Sequence, residues 1–333
     1  MSRTYTVYAI GNAIMDMQLQ LSEESFSKLG LTKGQMQLVG VDDQKALIER
    51  FHGLSLNQAS GGSAANSVIA MAQLGSRVCY GCCLGKDYFG QSYSREMTDL
   101  GVVLDSAEVD GEPTGTCVVL ITPDAERTMN THLGASACYS DVHVSGEHLA
   151  QAEWLYVEGY LLASDNGRAA VKRAIQLAKA AGVKIAVTFS DVFIVNVFRD
   201  ALEEVVEVCD LVFANLSEAR AFTGESNEES VLAAMEEKCG FAVVTLSDKG
   251  AWVLCDGERY FAEPFSTHAI DDTGAGDMFA GGFLHAWTSG FGPRDAGRFA
   301  GFLASKVVAQ LGPRLLCDVK ELLRETTFLP AGH

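Results

Sequence analysis

The residue types best suited to chemistry lie late in the chain, in Asp271-Asp272-Thr273-Gly274-Ala275-Gly276-Asp277, followed by the small, apolar run Met278-Phe279-Ala280-Gly281-Gly282-Phe283-Leu284. Gly274 and Gly276 lack the Cβ atoms that would stop the backbone turning tightly and meeting a ligand. A helix starting here aims unpaired N–H groups at one point, which makes an anion hole. Asp277 sits where the helix dipole favours negative charge, so it is expected to stay ionised near neutral pH and to accept a proton from a bound hydroxyl. A base beside an anion hole suits phosphoryl transfer, in which a protein mostly positions the acceptor and stabilises charge on phosphate oxygens. A lone Gly-Ala-Gly is as readily a plain helix cap, so the rest of the chain has to decide.

Four other groups of residues have suitable types and spacing. Asn12 and Asp16 follow the strand-like run 5–10, where short polar side chains either grip vicinal hydroxyls or satisfy a turn. Ser60-Gly61-Gly62-Ser63-Ala64-Ala65-Asn66 runs into a helical pattern. A plain cap needs only a serine, so the doubled glycine points toward something lying against the first turn, with Asn66 facing it. Asn215 and Glu218 open a helix just past a strand, three residues apart, and either hold the water shell of a magnesium ion or cap the helix. Arg127 stands beside the turn 123–126, where a solvated arginine is the ordinary outcome.

The elements that must position these groups follow from periodicity. Buried strands are expected at 5–10, 78–84, 154–157, 183–189, 211–214 and 241–246, with helices at 88–100, 168–181, 198–208 and 217–222 between them. Strands alternating with helices of this length imply βαβ units and a parallel sheet covered on both faces. A hairpin is expected at 252–261 and a helix from Pro293 to the break at Gly312-Pro313. The looser stretch 19–60, helical only at 42–51, looks inserted, and strands at 116–121 and 127–133 are expected to pair with it as a small β-rich lid.

At 333 residues and 48% hydrophobic, the chain can bury a large core. A net charge of −18 argues against nucleic-acid and anionic-membrane partners, which need a basic face. Nine cysteines, with one C-x-x-C from Cys79 to Cys82 and no second to pair with it, fit a reducing compartment, and neither a signal peptide nor a bilayer-length apolar run is seen, so a cytoplasmic location is expected. Neither a P-loop nor a G-x-G-x-x-G dinucleotide motif is present, and metal-ligand histidine spacing and a nucleophile elbow are missing.

Gly61-Gly62 with Asn66, Asn215 with Glu218, the loop from Thr245 to Gly250, and the Asp271–Asp277 segment together resemble the ribokinase-like (PfkB) family of carbohydrate and nucleoside kinases, over nearly the whole chain. Ala125-Glu126-Arg127-Thr128-Met129, Gly134-Ala135-Ser136, Gly159-Tyr160-Leu161-Leu162 and Phe189-Ser190-Asp191 look most like its adenosine-kinase-like branch. The resemblance implies an α/β fold: a three-layer α/β/α large domain with a mainly parallel sheet over 1–16, 59–112 and 136–333, and a small β-sheet lid over 17–58 and 113–135. It makes Asp277 the catalytic base and Gly274, Ala275 and Gly276 the anion hole, with Arg127 reaching the transferring phosphate. Asn12, Asp16, Gly61, Gly62 and Asn66 become the acceptor site. Asn215, Thr245, Ser247 and Gly250, with Gly274 and Gly276, hold ATP; Glu218 and Asn215 organise Mg2+ through water; and Asp271 matches a monovalent-cation position, hence K+.

The implied activity is transfer of the γ-phosphate of ATP to the 5′-hydroxyl of an adenosine-like nucleoside. The alternatives are a kinase of ribose, fructose or 2-keto-3-deoxygluconate, and an inactive ligand sensor. Tyr160, Phe189 and Phe193 are the candidates for an aromatic wall against a base. The expected assembly is a monomer or a lid-mediated homodimer. Two departures from the family pattern stand out: Ser247 occupies a position that is usually glycine, and Asp272 one that is often Thr or Ser.

Overall fold

The computed structural model describes residues 3–51, 57–124, 126–324 and 326. From the N-terminus its strands are β1 (Tyr5–Ile10), β2 (Ile14–Gln20), β3 (Met36–Leu38), β4 (Asn57–Gly61), β5 (Val78–Gly85), β6 (Val103–Val109) and β7 (Gly115–Ile121). There follow β8 (Arg127–His132), β9 (Ala152–Glu158), β10 (Lys184–Thr188), β11 (Leu211–Asn215), β12 (Ala242–Thr245), β13 (Ala251–Cys255) and β14 (Glu258–Ala262). They form a nine-stranded sheet, ordered β14-β13-β12-β11-β10-β9-β1-β5-β6, and a five-stranded sheet, ordered β3-β8-β7-β2-β4.

In the large sheet only β12–β13 and β13–β14 pair antiparallel. The other pairs are parallel, as the continuous apolar runs of the inner strands require, because strands covered on both faces have no solvent side to carry polar residues; the edge strand β6 is partly exposed and carries polar residues. One face packs on helices Ser63–Gln73, Ala275–Thr288 and Pro293–Val307 through Val68, Phe283 and Leu303. The other packs on helices Asp165–Ala181, Arg199–Val206 and Leu216–Thr223 through Val171, Leu202 and Phe222. The result is a three-layer α/β/α domain. Strand β6 and helices Val192–Val197 and Glu228–Cys239 extend it beyond the elements read from the sequence, and the helix expected at 198–208 is Arg199–Val206.

The small sheet combines the inserted segment with the 115–132 hairpin, as expected. It begins at Ile14, however, and takes in Asn57–Gly61. Asp16, expected in a loop, therefore stands on β2 opposite Ala59 of β4 and Cys117 of β7. The cause is that the chain leaves β1 and enters the second sheet within three residues. Period-two alternation sorts β7 into an outer row, Val118 and Leu120, packed under Phe26 and Leu47, and an inner row, Cys117 and Val119, clustered with Ile14.

All nine cysteines are unbridged, Cys82 and Cys83 buried among them. No helix among the described residues is long and apolar enough to cross a membrane.

Candidate active site

Four parallel strands of the large sheet each give their last residue to one cleft: Glu158 from β9, Thr188 from β10, Asn215 from β11 and Thr245 from β12. This is where open α/β sheets bind ligands. The inner face of the small sheet covers the cleft, which holds about 300 Å³, the size of a site for one small molecule.

The Asp271–Asp277 turn is held from behind. Gly274, with φ of 72°, caps helix Ala275–Thr288, and a Cβ there would lie 2.8 Å from Pro313 Cα. Asp271 is fully buried, and its carboxylate accepts from the Thr273 amide at 2.9 Å, the Thr273 hydroxyl and the Gly312 amide at 2.8 Å. Here Asp271 is the pin that ties the turn to the 312–314 loop. Gly276 differs, because a Cβ there would meet no protein atom within 4 Å. Packing does not require glycine at 276, and the open space lies at the mouth of the first-turn amides.

Asp277 lines this space. Its Oδ1 accepts from Ser63 Oγ at 2.6 Å and its Oδ2 from Asn66 Nδ2 at 2.9 Å. Helix Ser63–Gln73 reaches it because Gly281 lets the two helices close up: a Cβ at 281 would lie 3.0 Å from Ala70 Cβ. Burial raises the Asp277 carboxyl above its ordinary range, opposed by those two hydrogen bonds and by Arg127. The dipole argument had the opposite sign, and desolvation outweighs it. A raised carboxyl is the better proton acceptor, so the correction strengthens the role.

The acceptor side is built around Asp16. Period two points it into the cleft beside the inner row of the small sheet, and among the described residues no protein group donates a hydrogen bond to its carboxylate. Burial pushes it up to about 7, with Arg127 and Arg314 pulling it down. Gly61 makes room for it, since a Cβ there would lie 2.6 Å from Asp16 Cγ. Gly62, at φ of 104°, turns the chain from β4 into the helix, passing so close to Asn12 that a side chain would strike that residue's carbonyl. The Oδ1 of Asn66 is buried without a partner. Unpaired buried acceptors of this kind are costly unless a ligand hydroxyl fills them. Asn12 behaves differently from the expectation: its Nδ2 donates to Glu158 Oε1 at 2.9 Å, so this amide is tied to the protein.

Glu158 is the residue that sequence reasoning missed. It is 1% exposed, accepts from Asn12 and from the Ala64 amide at 2.9 Å, and is pushed by burial to about 7. It thus joins the loop after β1 to the helix that carries Asn66. An acid directly after the apolar run 154–157 was its only signal.

Further along the cleft, Asn215 and Glu218 form a reciprocal capping box: the Asn215 amide donates to Glu218 Oε2 at 2.9 Å and the Glu218 amide to Asn215 Oδ1 at 2.9 Å, while Asn215 Nδ2 also donates to Glu218 Oε1 at 2.7 Å. The cap reading is realised, yet both residues also line the cleft, and burial raises Glu218 to about 8. No cluster of three ligating side chains that could hold a metal occurs among the described residues. That donor set fits a magnesium ion carried by phosphates and water, with Glu218 outside its shell, rather than a protein cage. Thr245 lines the cleft, while Ser247 and Gly250 shape the loop behind it. Ser247 sits at φ of 56°, which explains why glycine suits that position.

Of the aromatic candidates, Tyr160 and Phe193 line the cleft. Phe189 does not reach it; it is 0% exposed and packs on Phe222 at 4.8 Å between ring centroids. Much of the remaining apolar lining comes from the small sheet and the residue just after β8: Ile14, Met36, Leu38, Val119, Met129 and Leu133. Which face of that sheet looks inward depends on its pairing, so the sequence pattern alone did not reveal this wall.

Comparison with known proteins agrees with this geometry. The family model for pfkB family carbohydrate kinase matches residues 24–320. The crystal structure of adenosine kinase from Sinorhizobium meliloti is 33% identical, covering 97% of this chain and 99% of that one, with a TM-score of 0.92. A probable sugar kinase from Rhizobium etli CFN 42 is 30% identical over 99% of this chain and 100% of its own, with a TM-score of 0.94. Adenosine kinase 1 of Arabidopsis thaliana is 27% identical over 90% of this chain and 93% of its own length. The family match over residues 24–320 and these relatives make the chain a phosphotransferase with an alcohol acceptor, and it belongs to the pfkB carbohydrate-kinase family, on its adenosine-kinase-like side.

Proposed function

We propose that the enzyme transfers the γ-phosphate of ATP to the 5′-hydroxyl of a nucleoside, adenosine or a close relative. The observation that carries this reading is the two-part wall of the acceptor site. It holds Asp16, whose carboxylate receives no hydrogen bond from protein among the described residues, and the unpaired Oδ1 of Asn66, both suited to a ribose diol. It also holds an apolar lining of Ile14, Met36, Val119, Met129 and Leu133, with Tyr160 and Phe193. A free sugar, polar all round, would leave that apolar surface facing hydroxyls, whereas a nucleobase covers it.

In this mechanism Asp16 and Asn66 hold the acceptor so that its primary hydroxyl meets Asp277. The hydroxyl oxygen bonds to the γ-phosphorus as the bridging P–O bond to ADP breaks, and its proton passes to the Asp277 carboxylate. Amides of the Gly274–Asp277 turn and the Arg127 guanidinium stabilise the charge on the transferring group, each such donor worth about 3 kcal/mol. A magnesium ion, with Glu218 and Asn215 facing its water shell, supplies charge neutralisation on the phosphates when bound.

The test is ATP consumption with magnesium on adenosine, inosine, guanosine, cytidine, ribose, fructose and 2-keto-3-deoxygluconate, with Asp277→Asn as the blank. Turnover on a nucleoside is the expected result. Turnover on a sugar alone would keep the mechanism and overturn the acceptor. Silence across the panel, with ligand-dependent thermal stabilisation, would identify a sensor.

A further inference from the structure

Arg127 opens β8 at the rim of the small sheet, and its Nε lies 3.5 Å from Oδ1 of Asp272 on the catalytic turn. The pair bridges the two sheets' halves of the cleft, and both residues line it. The two partners differ in how firmly they are held. Asp272 lies between Asp271 and Thr273, which are locked together, and its own carbonyl accepts the Ala275 amide at 3.2 Å, so its backbone is fixed. Arg127 is held by this single long contact through Nε. Its Nη groups make no hydrogen bond to protein among the described residues. A guanidinium whose planar fork is open is ready to chelate an oxyanion, and a phosphate offers the bidentate geometry that one carboxylate oxygen at 3.5 Å does not. Asp272 also stands where the family pattern often has Thr or Ser, so this carboxylate is not a general need of the turn.

We propose that Asp272 is a positioning residue for the phosphate donor: it parks Arg127 against the catalytic turn while the phosphate site is empty, and a donor phosphate must take the arginine from it. The inference rests on reading Arg127 as a phosphate ligand. Its consequence is a trade. The parked arginine holds the small sheet over the acceptor cleft before the donor arrives, and donor binding is weaker by what the ion pair is worth. For a half-exposed pair this is about two- to fivefold in affinity.

The experiment is direct binding of AMP-PNP with magnesium to the full chain, by calorimetry and without acceptor. The proteins are wild type, Asp272→Thr, Asp272→Asn, Arg127→Gln and the Asp272→Thr/Arg127→Gln pair. Asp272→Thr and Asp272→Asn are expected to bind about two- to fivefold tighter than wild type, and the gain is expected to vanish in the Arg127→Gln background. A gain of equal size with and without Arg127 would show that Asp272 acts by plain repulsion of the triphosphate and would overturn the proposal. Weaker binding in Asp272→Thr would overturn it too, pointing to a direct role for the carboxylate at the magnesium ion. Wild-type protein that fails to bind AMP-PNP would remove the donor reading itself, a result distinct from either of those.

Discussion

Gly61→Ala adds one methyl group and tests the acceptor site at its tightest point. Gly61 lies outside the left-handed region, so alanine is allowed on the backbone, and the effect is purely spatial. The new Cβ would lie 2.6 Å from Asp16 Cγ and 2.9 Å from its Oδ1, where ordinary contact begins at 3.4 Å. The Asp16 carboxylate must therefore retreat by about 1 Å, and a misplacement of that size in a positioning group costs on the order of 100-fold. Counted another way, weakening one charge-assisted hydrogen bond worth about 1.5–3 kcal/mol gives about 10- to 100-fold. In a coupled assay for ADP release, Gly61→Ala is expected to lower kcat/KM for the acceptor by that factor while KM for ATP stays put. Gly276→Ala is the control, since its methyl enters open cleft and is expected to raise KM for ATP or lower kcat while sparing acceptor binding. A folded Gly61→Ala enzyme with acceptor kcat/KM within about threefold of wild type would refute the role given to Asp16.

Asp277→Asn keeps the hydrogen-bonding shape and removes the base; kcat is expected to fall by about 100- to 10,000-fold with acceptor binding retained, and normal turnover would discard the assignment. Acceptor binding to that variant, measured by calorimetry against pH, is expected to weaken below about pH 7, because Asp16 grips a diol only when ionised and titrates near there. Its midpoint is expected slightly below the wild-type one, since Asp277 is among the groups raising Asp16. Glu158 has a folded pKa of about 7, above its ordinary value, so its contribution to stability is full below the unfolded pKa and is lost as pH rises through 7. The urea midpoint is expected to fall between pH 5 and pH 8, less steeply in Glu158→Gln, and an unchanged slope would show that Glu158 is not responsible. Ser247→Gly relieves a left-handed serine at about 1–2 kcal/mol and loses about 0.5–1 kcal/mol to chain entropy, so a small gain in the urea midpoint is expected, and a loss would count against backbone strain.

What was legible in the sequence is what local chemistry decides. The parallel strands announced themselves as apolar runs, and the glycines at 61, 62 and 274 stand where a Cβ would strike a neighbour or where φ is positive. Asp16 was placed in a loop because the change of sheet occurs over residues 11–13, too short a passage for periodicity to register. Glu158 escaped notice because its partners lie 94 and 146 residues away, and a lone acid after a strand looks solvated until the loop and helix close over it. The apolar wall was hidden for the same reason: alternation in 115–121 predicts two faces, and only the parallel pairing of β7 with β2 decides which of them meets the cleft. For Asp277 the sequence supplied the dipole and could not supply the burial, which raises the carboxyl.

The same burial explains how a chain of net charge −18 can handle a triphosphate. Among the described residues lining the cleft, Arg127 carries the only Lys or Arg charge, facing carboxylates at Asp16, Asp272, Asp277, Glu158 and Glu218. In the proposed mechanism side-chain cations are therefore not the main anion receptor. That role is given to the amides of the Gly274–Asp277 turn, whose dipoles are fixed by Asp271 and Pro313 from behind and need no counter-charge of their own. Burial is what holds Asp16 and Glu158 near 7 and Glu218 near 8, and neighbouring carboxylates, Asp277 among them, add to it. An acceptor that brings hydroxyl donors to Asp16, and a donor that brings its own metal, each relieve that surplus in a different part of the cleft. Arg127 is the residue both parts share: it lowers Asp16 and Asp277 while parked on Asp272. Moving it toward a phosphate shifts the charge balance of the acceptor site at the moment the base is required.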